Sequence, residues 1–167
     1  VFFENVEKRR IDTSNMNFLL FEPMAKPFKE LERKYRNHRN VQLFKTALGE
    51  KRGVMCSTLK GDAVVVSRCD HSSNAHGKIT VQDVADYINE TVFLYHINCE
   101  GCEVPLINRA LSRQRLPQNI EVQFHPQHVH PDIYCDIARR LHDSGYRIVY
   151  RYAYVWELWS LVEDELF

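Results

Sequence analysis

The sequence predicts a three-layer α/β domain with a mostly parallel sheet and an antiparallel edge at its C-terminal end. Short apolar runs typical of strands alternate with segments whose apolar residues recur at helical spacing. The last part of the chain, rich in Tyr, Trp and Val, instead indicates two strands in succession. Alternating strands and helices favour a parallel sheet with right-handed crossovers, and successive strands favour an antiparallel edge. Because 167 residues suit one core, we expect residues 1–167 to form a single domain.

The central element of this prediction is a strand over Val92–Ile97 that ends in a polar turn. Its residues are mostly apolar, β-branched or aromatic and do not alternate with polar ones, which is typical of a strand buried on both faces. Asn98 and Glu100 follow at the carboxyl end, where open α/β sheets bind their ligands, and Gly101 allows a tight turn. Any parallel strand that leads into a helix needs such a turn. From this stretch alone, Asn98 and Glu100 could therefore have a purely structural role.

In the first half of the chain, the pattern predicts a strand, a helix and several short strands. Pro23 stops the first strand, and Pro27 suits the first turn of the next helix. Polar residues at 69–77 predict a loop of the kind that covers binding sites. The elements expected here are a strand over Asn17–Glu22, a helix over Lys26–His38, a strand over Val41–Leu48, a β-hairpin of Val54–Leu59 with Ala63–Arg68, and a helix over Gln82–Asn89.

In the second half, helices and strands alternate until the aromatic C-terminal part. Pro117 ends one predicted helix, while Pro131 and Gly145 mark the start and the cap of another. The elements expected here are a helix from Cys102 to about Leu116, a strand over Ile120–His125, a helix between Pro131 and Gly145, and strands over Tyr146–Val149 and Tyr152–Leu161.

Composition restricts the classes of partner. The 22 basic and 22 acidic side chains cancel, and the basic clusters are short, so a nucleic-acid partner is not expected. No apolar run approaches the roughly 20 residues of a membrane span.

The five cysteines lack the density of a disulfide scaffold, so most are expected to be free. Asn89-Glu90-Thr91 fits the N-glycosylation acceptor pattern, which matters only in the secretory pathway; the compartment and the oligomeric state stay open.

Five short phrases follow one another along the chain in an order typical of one protein family. They are Phe21-Glu22-Pro23 after a strand, Ala47-Leu48 after the next strand, the pair Ser72-Ser73, Ile97-Asn98-Cys99-Glu100-Gly101-Cys102-Glu103, and Glu121-Val-Gln-Phe-His125. In their order and spacing they resemble the phrases of FkbM-type methyltransferases. The resemblance covers about 18–150, and its strongest phrase is the one at Ile97–Glu103.

The resemblance implies a Rossmann-like fold that binds S-adenosylmethionine and transfers its methyl group, usually to a hydroxyl oxygen. It assigns cofactor binding to Glu22, Pro23, Ala47 and Ser73, and catalysis to Glu100, Asn98 and His125. Elementary chemistry supports Glu22 separately, because an acid after the second strand of a Rossmann unit accepts hydrogen bonds from ribose hydroxyls. Four of these residues are expected at one rim of one sheet, because they follow parallel strands near Phe18–Phe21, Val92–Ile97 and Ile120–Phe124. They are Glu22, Asn98, Glu100 and His125.

The acceptor implied by the resemblance is a small molecule or a glycan. We expect it to meet His125 and the loop at Ser72–Asn74, with Glu100 as the nearest carboxylate for orientation or proton removal.

The sequence departs from the family pattern at three places. A glycine-rich turn should precede Glu22 by about 20 residues, yet the first 17 residues contain no glycine. The aspartate of the family's central phrase is Asn98 here, which can orient a ligand but cannot act as a carboxylate base. The acid expected two residues before His125 is Gln123. We therefore expect that the domain lacks its first strand and that this chain binds S-adenosylmethionine poorly.

Two alternatives belong to other classes of function. Cys99 and Cys102 with His125 suggest a zinc-binding module, since thiolates and imidazoles suit that ion. A non-catalytic domain that uses the methyltransferase fold for protein contacts is the other alternative, and the aromatic C-terminal part suits either an interaction surface or a strand packed on the core.

Overall fold

The structure is a computed structural model that describes residues 15–60, 63–68, 77–113, 116–152 and 156–162. Within these residues it is a mixed α/β fold. The helices are α1 (Ala25–Tyr35), α2 (Glu103–Ser112) and α3 (Pro131–Asp143), with a short 3-10 helix at Val84–Asp86. The strands are β1 (Phe18–Phe21), β2 (Val41–Phe44), β3 (Ala47–Gly49), β4 (Gly53–Lys60), β5 (Ala63–Arg68), β6 (Gly77–Asp83), β7 (Leu94–Ile97), β8 (Asn119–Gln123), β9 (Tyr146–Tyr152) and β10 (Trp156–Leu161).

Most predicted elements are present, with shifted ends. The first strand and helix are β1 and α1, and the predicted hairpin is the antiparallel pair of β4 and β5. The helices expected after Gly101 and at Pro131 are α2 and α3. At the C-terminal end, β8, β10 and β9 pair antiparallel in that order, so the antiparallel edge is confirmed.

The helix predicted over Gln82–Asn89 is wrong. The chain continues as β6 to Asp83 and then makes only the short 3-10 helix. Ile79 and Val81 are buried while Thr80 between them is exposed, so the period of two that marks a strand persists. The Asp83 side chain then accepts a hydrogen bond from the backbone N–H of Ala85 at 2.9 Å, which starts the single 3-10 turn.

The strand predicted over Val41–Leu48 is two strands. β2 ends at Phe44, and β3 begins at Ala47. Between them, the buried Thr46 side chain donates a hydrogen bond to the backbone carbonyl of Thr80 at 2.7 Å. This contact lies at the break between β2 and β3.

The strands form three sheets in the described part of the chain, where the sequence predicted one. β1 pairs in parallel with β2, and β7 pairs in parallel with β8. The sheet orders are β1-β2, β7-β8-β10-β9 and β3-β6-β4-β5. Among the described residues, β1 and β7 are therefore each at an edge of a sheet. The expectation that β1 and β7 belong to one sheet is not met.

The chain divides into two compact units, 1–47 with 55–80 and 48–54 with 81–167. The main core lies in the second unit, where α2 and α3 pack on one face of the β7–β8–β10–β9 sheet. Its fully buried side chains include Ile107 on α2, Ile120 and Val122 on β8, and Leu141 on α3.

The strand at the centre of the sequence prediction is not buried on both faces. Tyr95 and Ile97 point into the core of the second unit, whereas His96 between them is exposed. His96 instead lies beside Glu121 of β8, with its Nδ1 2.7 Å from Glu121 Oε2. The sequence of this strand does not alternate clearly between apolar and polar residues, because histidine and aromatic residues lie on both of its faces.

Candidate functional site

The candidate site is built on the turn that joins β7 to α2. Glu100 has φ of 47° and Gly101 has φ of 106°, both in the left-handed region. Glycine adopts such angles readily, and other residues adopt them at a cost, so the turn after the strand is sharp. It places Glu100 directly before the first turn of α2.

A disulfide between Cys99 and Cys102 closes this turn, with the two Cα atoms 5.5 Å apart. Cys56 is also disulfide-bonded, while Cys135 is free and exposed. The expectation that most cysteines are free is therefore wrong. The low density of cysteines in the sequence gave no sign of this pairing; for Cys99 and Cys102 the tight turn itself brings the two Cα atoms to the spacing of a disulfide.

Glu103, the first residue of α2, is a completely buried carboxylate. Its two oxygens accept hydrogen bonds from the backbone N–H of Gly101 at 3.1 and 3.0 Å. One of them, Oε1, also lies 2.5 Å from Nδ1 of His125. The amino end of a helix favours negative charge, so this carboxylate is stabilised from three directions.

His125 follows β8 and is buried, with only 8 % of its side chain exposed. Because Nδ1 donates to Glu103, the ring is held in one orientation and its Nε2 faces away from the helix. Nε2 lies 3.0 Å from Oε1 of Glu100, whose side chain is 65 % exposed. The ring thus has a buried carboxylate on one nitrogen and an exposed carboxylate on the other.

This arrangement can accept and hold a proton. A buried carboxylate on Nδ1 stabilises the imidazolium that forms when Nε2 takes up a proton. On the other side of the ring, the neighbour of Nε2 is the exposed carboxylate of Glu100.

The segment that follows His125 packs against the turn at Gly101. The backbone N–H of His128 donates to the carbonyl of His125 at 2.8 Å, which folds the chain back over the turn. A Cβ added at Gly101 would lie 3.2 Å from Cγ of His128. Both the backbone angle and this close approach therefore favour glycine at position 101.

The structure brings together two of the three predicted catalytic residues. Glu100 and His125 are in contact, whereas Asn98 is exposed and makes no side-chain hydrogen bond with either of them in the described residues. Glu103 was not among the site residues predicted from the sequence. Its position in the Ile97–Glu103 phrase was visible, but an acid at a helix start is usually explained by the helix dipole, and its burial against His125 is a property of the fold.

The predicted cofactor residues that the structure describes lie in the first unit. Glu22 follows β1, and its Oε1 accepts a hydrogen bond from the backbone N–H of Met24 at 2.7 Å. Burial raises the pKa of the Glu22 carboxyl above its ordinary value, and the bond from Met24 partly opposes this. Pro23 and Ala47 are partly buried, and Ser73, with the Ser72–Asn74 loop, lies outside the described residues. Glu22 belongs to the first unit and His125 to the second, so the expectation that they share one rim stays a prediction.

Glu22 also borders an open depression along α1. Its other lining residues are Pro27, Glu30, Leu31, Arg33 and Lys34. One carboxylate oxygen of Glu22 makes the bond to Met24, and a carboxylate offers further lone pairs. This fits acceptance of ribose hydroxyls.

The remainder of an S-adenosylmethionine site is not matched by the chain. The first glycine in the sequence is Gly49, so no glycine-rich turn precedes Glu22 among these 167 residues. Such a turn lets the backbone approach the ligand closely. The residues present therefore fit the ribose end of the cofactor and not the rest.

Zinc coordination by Cys99, Cys102 and His125 is contradicted by the disulfide. Both sulfur atoms are used in the bond, so neither can be the thiolate that zinc requires. Within the described ranges, no group of three or more His, Cys, Asp or Glu side chains could hold a metal ion.

Comparison with solved structures gives a methyltransferase-like fold. The crystal structure of methyltransferase FkbM from Methylobacillus flagellatus KT is similar to this chain with a TM-score of 0.55 and 13 % sequence identity. The similarity covers 87 % of this chain and 36 % of that protein. No family model matches the sequence, and no curated protein matches it. Among the described helices, none is both long and apolar enough to cross a membrane.

Proposed function

We propose that this chain is an S-adenosylmethionine-dependent methyltransferase domain of the FkbM type that methylates a hydroxyl oxygen of a small-molecule or glycan acceptor. The fold supports the class of enzyme, and the order of the sequence phrases supports the family. The proposal includes a Rossmann-like, three-layer arrangement of the kind typical of that family.

One observation carries the proposal, namely the buried pair of Glu103 and His125. An acceptor hydroxyl must lose its proton when its oxygen is methylated, and in this proposal His125 Nε2 takes that proton once Glu100 has moved away from it. Glu103 is proposed to hold the ring and to stabilise its protonated form, which its 2.5 Å contact with Nδ1 supports. Glu100 leaves Nε2 when the hydroxyl binds and orients it from the exposed side, and Asn98 contributes a hydrogen bond.

Glu22 is proposed to receive the ribose of the donor, with Pro23, Ala47 and Ser73 beside it. A carboxylate that is partly buried with a raised pKa is costly to keep charged, and ligand binding is a reason for its presence. The cofactor supplies the methyl group, whereas the residues named here bind it and move the acceptor's proton.

The test is methyl transfer from radiolabelled S-adenosylmethionine to a panel of sugars and polyols, at donor concentrations high enough to offset weak binding. His125→Ala and Glu103→Gln should lower turnover by about 100-fold or more, the usual contribution of a general base. The KM for the donor should stay nearly unchanged. Glu22→Ala should raise the donor KM instead.

His142→Gln is the matched control, because His142 is exposed in the last turn of α3. It should leave both constants unchanged. Full turnover by His125→Ala in an active preparation would remove the proposed base.

A non-catalytic methyltransferase-like interaction domain is the second candidate. The observation that favours it is the absence of a glycine-rich turn before Glu22 in these residues. This second candidate predicts that the chain does not bind the donor even at millimolar concentration, while the Glu103–His125 pair stays intact. Nitrogen-detected NMR of the His125 ring distinguishes this outcome from misfolding, because only a folded chain retains the hydrogen-bonded Nδ1 proton.

A further inference from the structure

Asn89, Glu90 and Thr91 form a turn between the 3-10 helix and β7. The backbone N–H of Val92 donates to the carbonyl of Asn89 at 3.0 Å, which closes the turn. Glu90 and Thr91 are exposed, and Asn89 is partly exposed. No other Asn-x-Ser/Thr triplet occurs in the 167 residues.

The side chains of this triplet are arranged so that the amide nitrogen of Asn89 stays outside their mutual hydrogen bonds. Asn89 Oδ1 accepts from the backbone N–H of Thr91 at 2.9 Å and from the Thr91 hydroxyl at 2.5 Å. Nδ2, the atom that carries a glycan in this type of triplet, takes part in neither bond. A sugar at this position therefore leaves the turn intact.

The disulfides provide a separate observation that points to the same compartment. Cys99 is bonded to Cys102, and Cys56 is also disulfide-bonded. Structural disulfides persist in oxidising compartments such as the lumen of the endoplasmic reticulum and are rare in the cytosol. N-glycosylation takes place in that lumen.

The turn lies at the opposite end of β7 from the candidate site. Asn89 precedes Leu94, the first residue of the strand, whereas Glu100 and Gly101 follow Ile97, the last. Both ends belong to the second unit. A glycan on Asn89 would therefore be attached at the end of β7 away from His125.

From the single exposed triplet, its side-chain geometry and the disulfides together, we propose that Asn89 is an N-glycosylation site and that this chain folds in the secretory pathway. The donor is an oligosaccharide linked to a polyisoprenyl pyrophosphate. A bond forms between Asn89 Nδ2 and the anomeric carbon of the oligosaccharide, and the bond from that carbon to the pyrophosphate oxygen breaks. The amide loses one proton, and the lipid pyrophosphate leaves.

The experiment expresses the full chain in animal cells behind a cleavable signal peptide, with a C-terminal tag that carries one glycosylation triplet of its own. Glycosylation of the tag reports that the chain reached the lumen. The chain should show two glycans in electrophoresis, and treatment with a peptide N-glycosidase should remove both. Asn89→Gln and Thr91→Ala should each lose one glycan and keep the one on the tag.

Thr91→Ser is the matched variant, because serine retains the hydroxyl that the triplet requires, and it should keep both glycans. Mass spectrometry of the secreted chain should also find Cys99 joined to Cys102. A wild-type chain with a glycosylated tag and no second glycan would overturn the proposal. This outcome is independent of methyl transfer, since neither Asn89 nor Thr91 belongs to the proposed catalytic site.

Discussion

Buried polar side chains of the second unit differ in whether they have partners. Glu157 of β10 is buried and accepts hydrogen bonds from Tyr134, Arg151 and Trp159 at 2.6, 2.7 and 2.9 Å. Glu103 is satisfied in the same way at the candidate site. The hydroxyl of Tyr95, by contrast, is buried with no hydrogen-bond partner among the described residues. A buried group without a partner costs about 1–3 kcal/mol, so Tyr95 is a local weakness of the core.

Tyr95→Phe removes only this hydroxyl and should raise the free energy of unfolding by about 1 kcal/mol. Tyr146→Phe is the matched control, because the equally buried hydroxyl of Tyr146 donates to the carbonyl of Pro117 at 2.5 Å. The control should lower stability by about 1 kcal/mol, since it leaves that carbonyl unpaired. Urea unfolding monitored by tryptophan fluorescence measures both changes. A loss of stability in Tyr95→Phe would show that its hydroxyl has a partner.

Glu22 differs from the usual acidic residue in the sign of its effect on stability. Burial raises the pKa of its carboxyl in the folded state. Below the ordinary value of 4.5 both folded and unfolded states are protonated, so the group has no effect on stability there. As the pH rises through 4.5, the unfolded state ionises first and stability falls; above the raised value the penalty is constant. Glu22 is thus a cost to the fold at neutral pH.

Glu22→Gln should therefore be slightly more stable than the natural chain at neutral pH, by less than about 1 kcal/mol. The glutamine oxygen can still accept the hydrogen bond from Met24, so the turn into α1 is kept. Urea unfolding from about pH 3 to about pH 8 should show that the extra stability of Glu22→Gln disappears below the ordinary pKa of a glutamate. Glu32→Gln, at an exposed position of α1, should show no such pH dependence. Equal stability of Glu22→Gln and the natural chain at every pH would refute the raised pKa.

At the scale of single elements, the turn from β7 to α2 shows what a local pattern predicts and what it does not. The apolar run, Asn98, Glu100 and Gly101 predicted the strand, the turn and the helix start correctly. The burial of Glu103 was not predictable, because it depends on His125, which follows a different strand. The helix predicted over Gln82–Asn89 was wrong for a similar reason. Its three apolar residues at helical spacing also fit a strand that ends in a single 3-10 turn at Val84–Asp86.

Gly101→Ala tests whether this turn has the strict backbone requirement that its geometry indicates. Its φ of 106° is rare for alanine, and the added Cβ would lie 3.2 Å from Cγ of His128. The substitution should cost about 1–3 kcal/mol of stability. Gly53→Ala is the control, because a Cβ there has nothing within 4 Å, and it should change stability by less than about 1 kcal/mol. The two midpoints of urea unfolding give the comparison, and equal midpoints would contradict the strain assigned to Gly101.

At the scale of the whole molecule, the sequence predicted the class of fold better than its connectivity. Periodicity predicted the alternation of strands and helices and the antiparallel pairing of β9 with β10, because neighbouring elements decide both. It did not predict the separate pairing of β1 with β2, because which strands share a sheet is decided between residues far apart in the chain. The resemblance to FkbM-type methyltransferases agrees with the fold similarity to one such enzyme, which this chain matches over 36 % of that enzyme's length.

The affinity that we expect for S-adenosylmethionine follows from which strand ends of a Rossmann-type site this chain contains. A Rossmann-type site holds its ligand at two neighbouring strand ends, one with an acid and one with a glycine-rich turn. This chain has the acid at Glu22 after β1, and it has no glycine before Gly49. Half of a site leaves most of the ligand without close backbone contact, so calorimetric titration of the 167-residue chain should give a Kd of about 1 mM or weaker. Glu22→Ala should weaken this already low affinity further, in line with the higher donor KM expected for that variant. Micromolar binding that is abolished by Glu22→Ala would show that other residues of this chain replace the glycine-rich turn and that the donor site is complete.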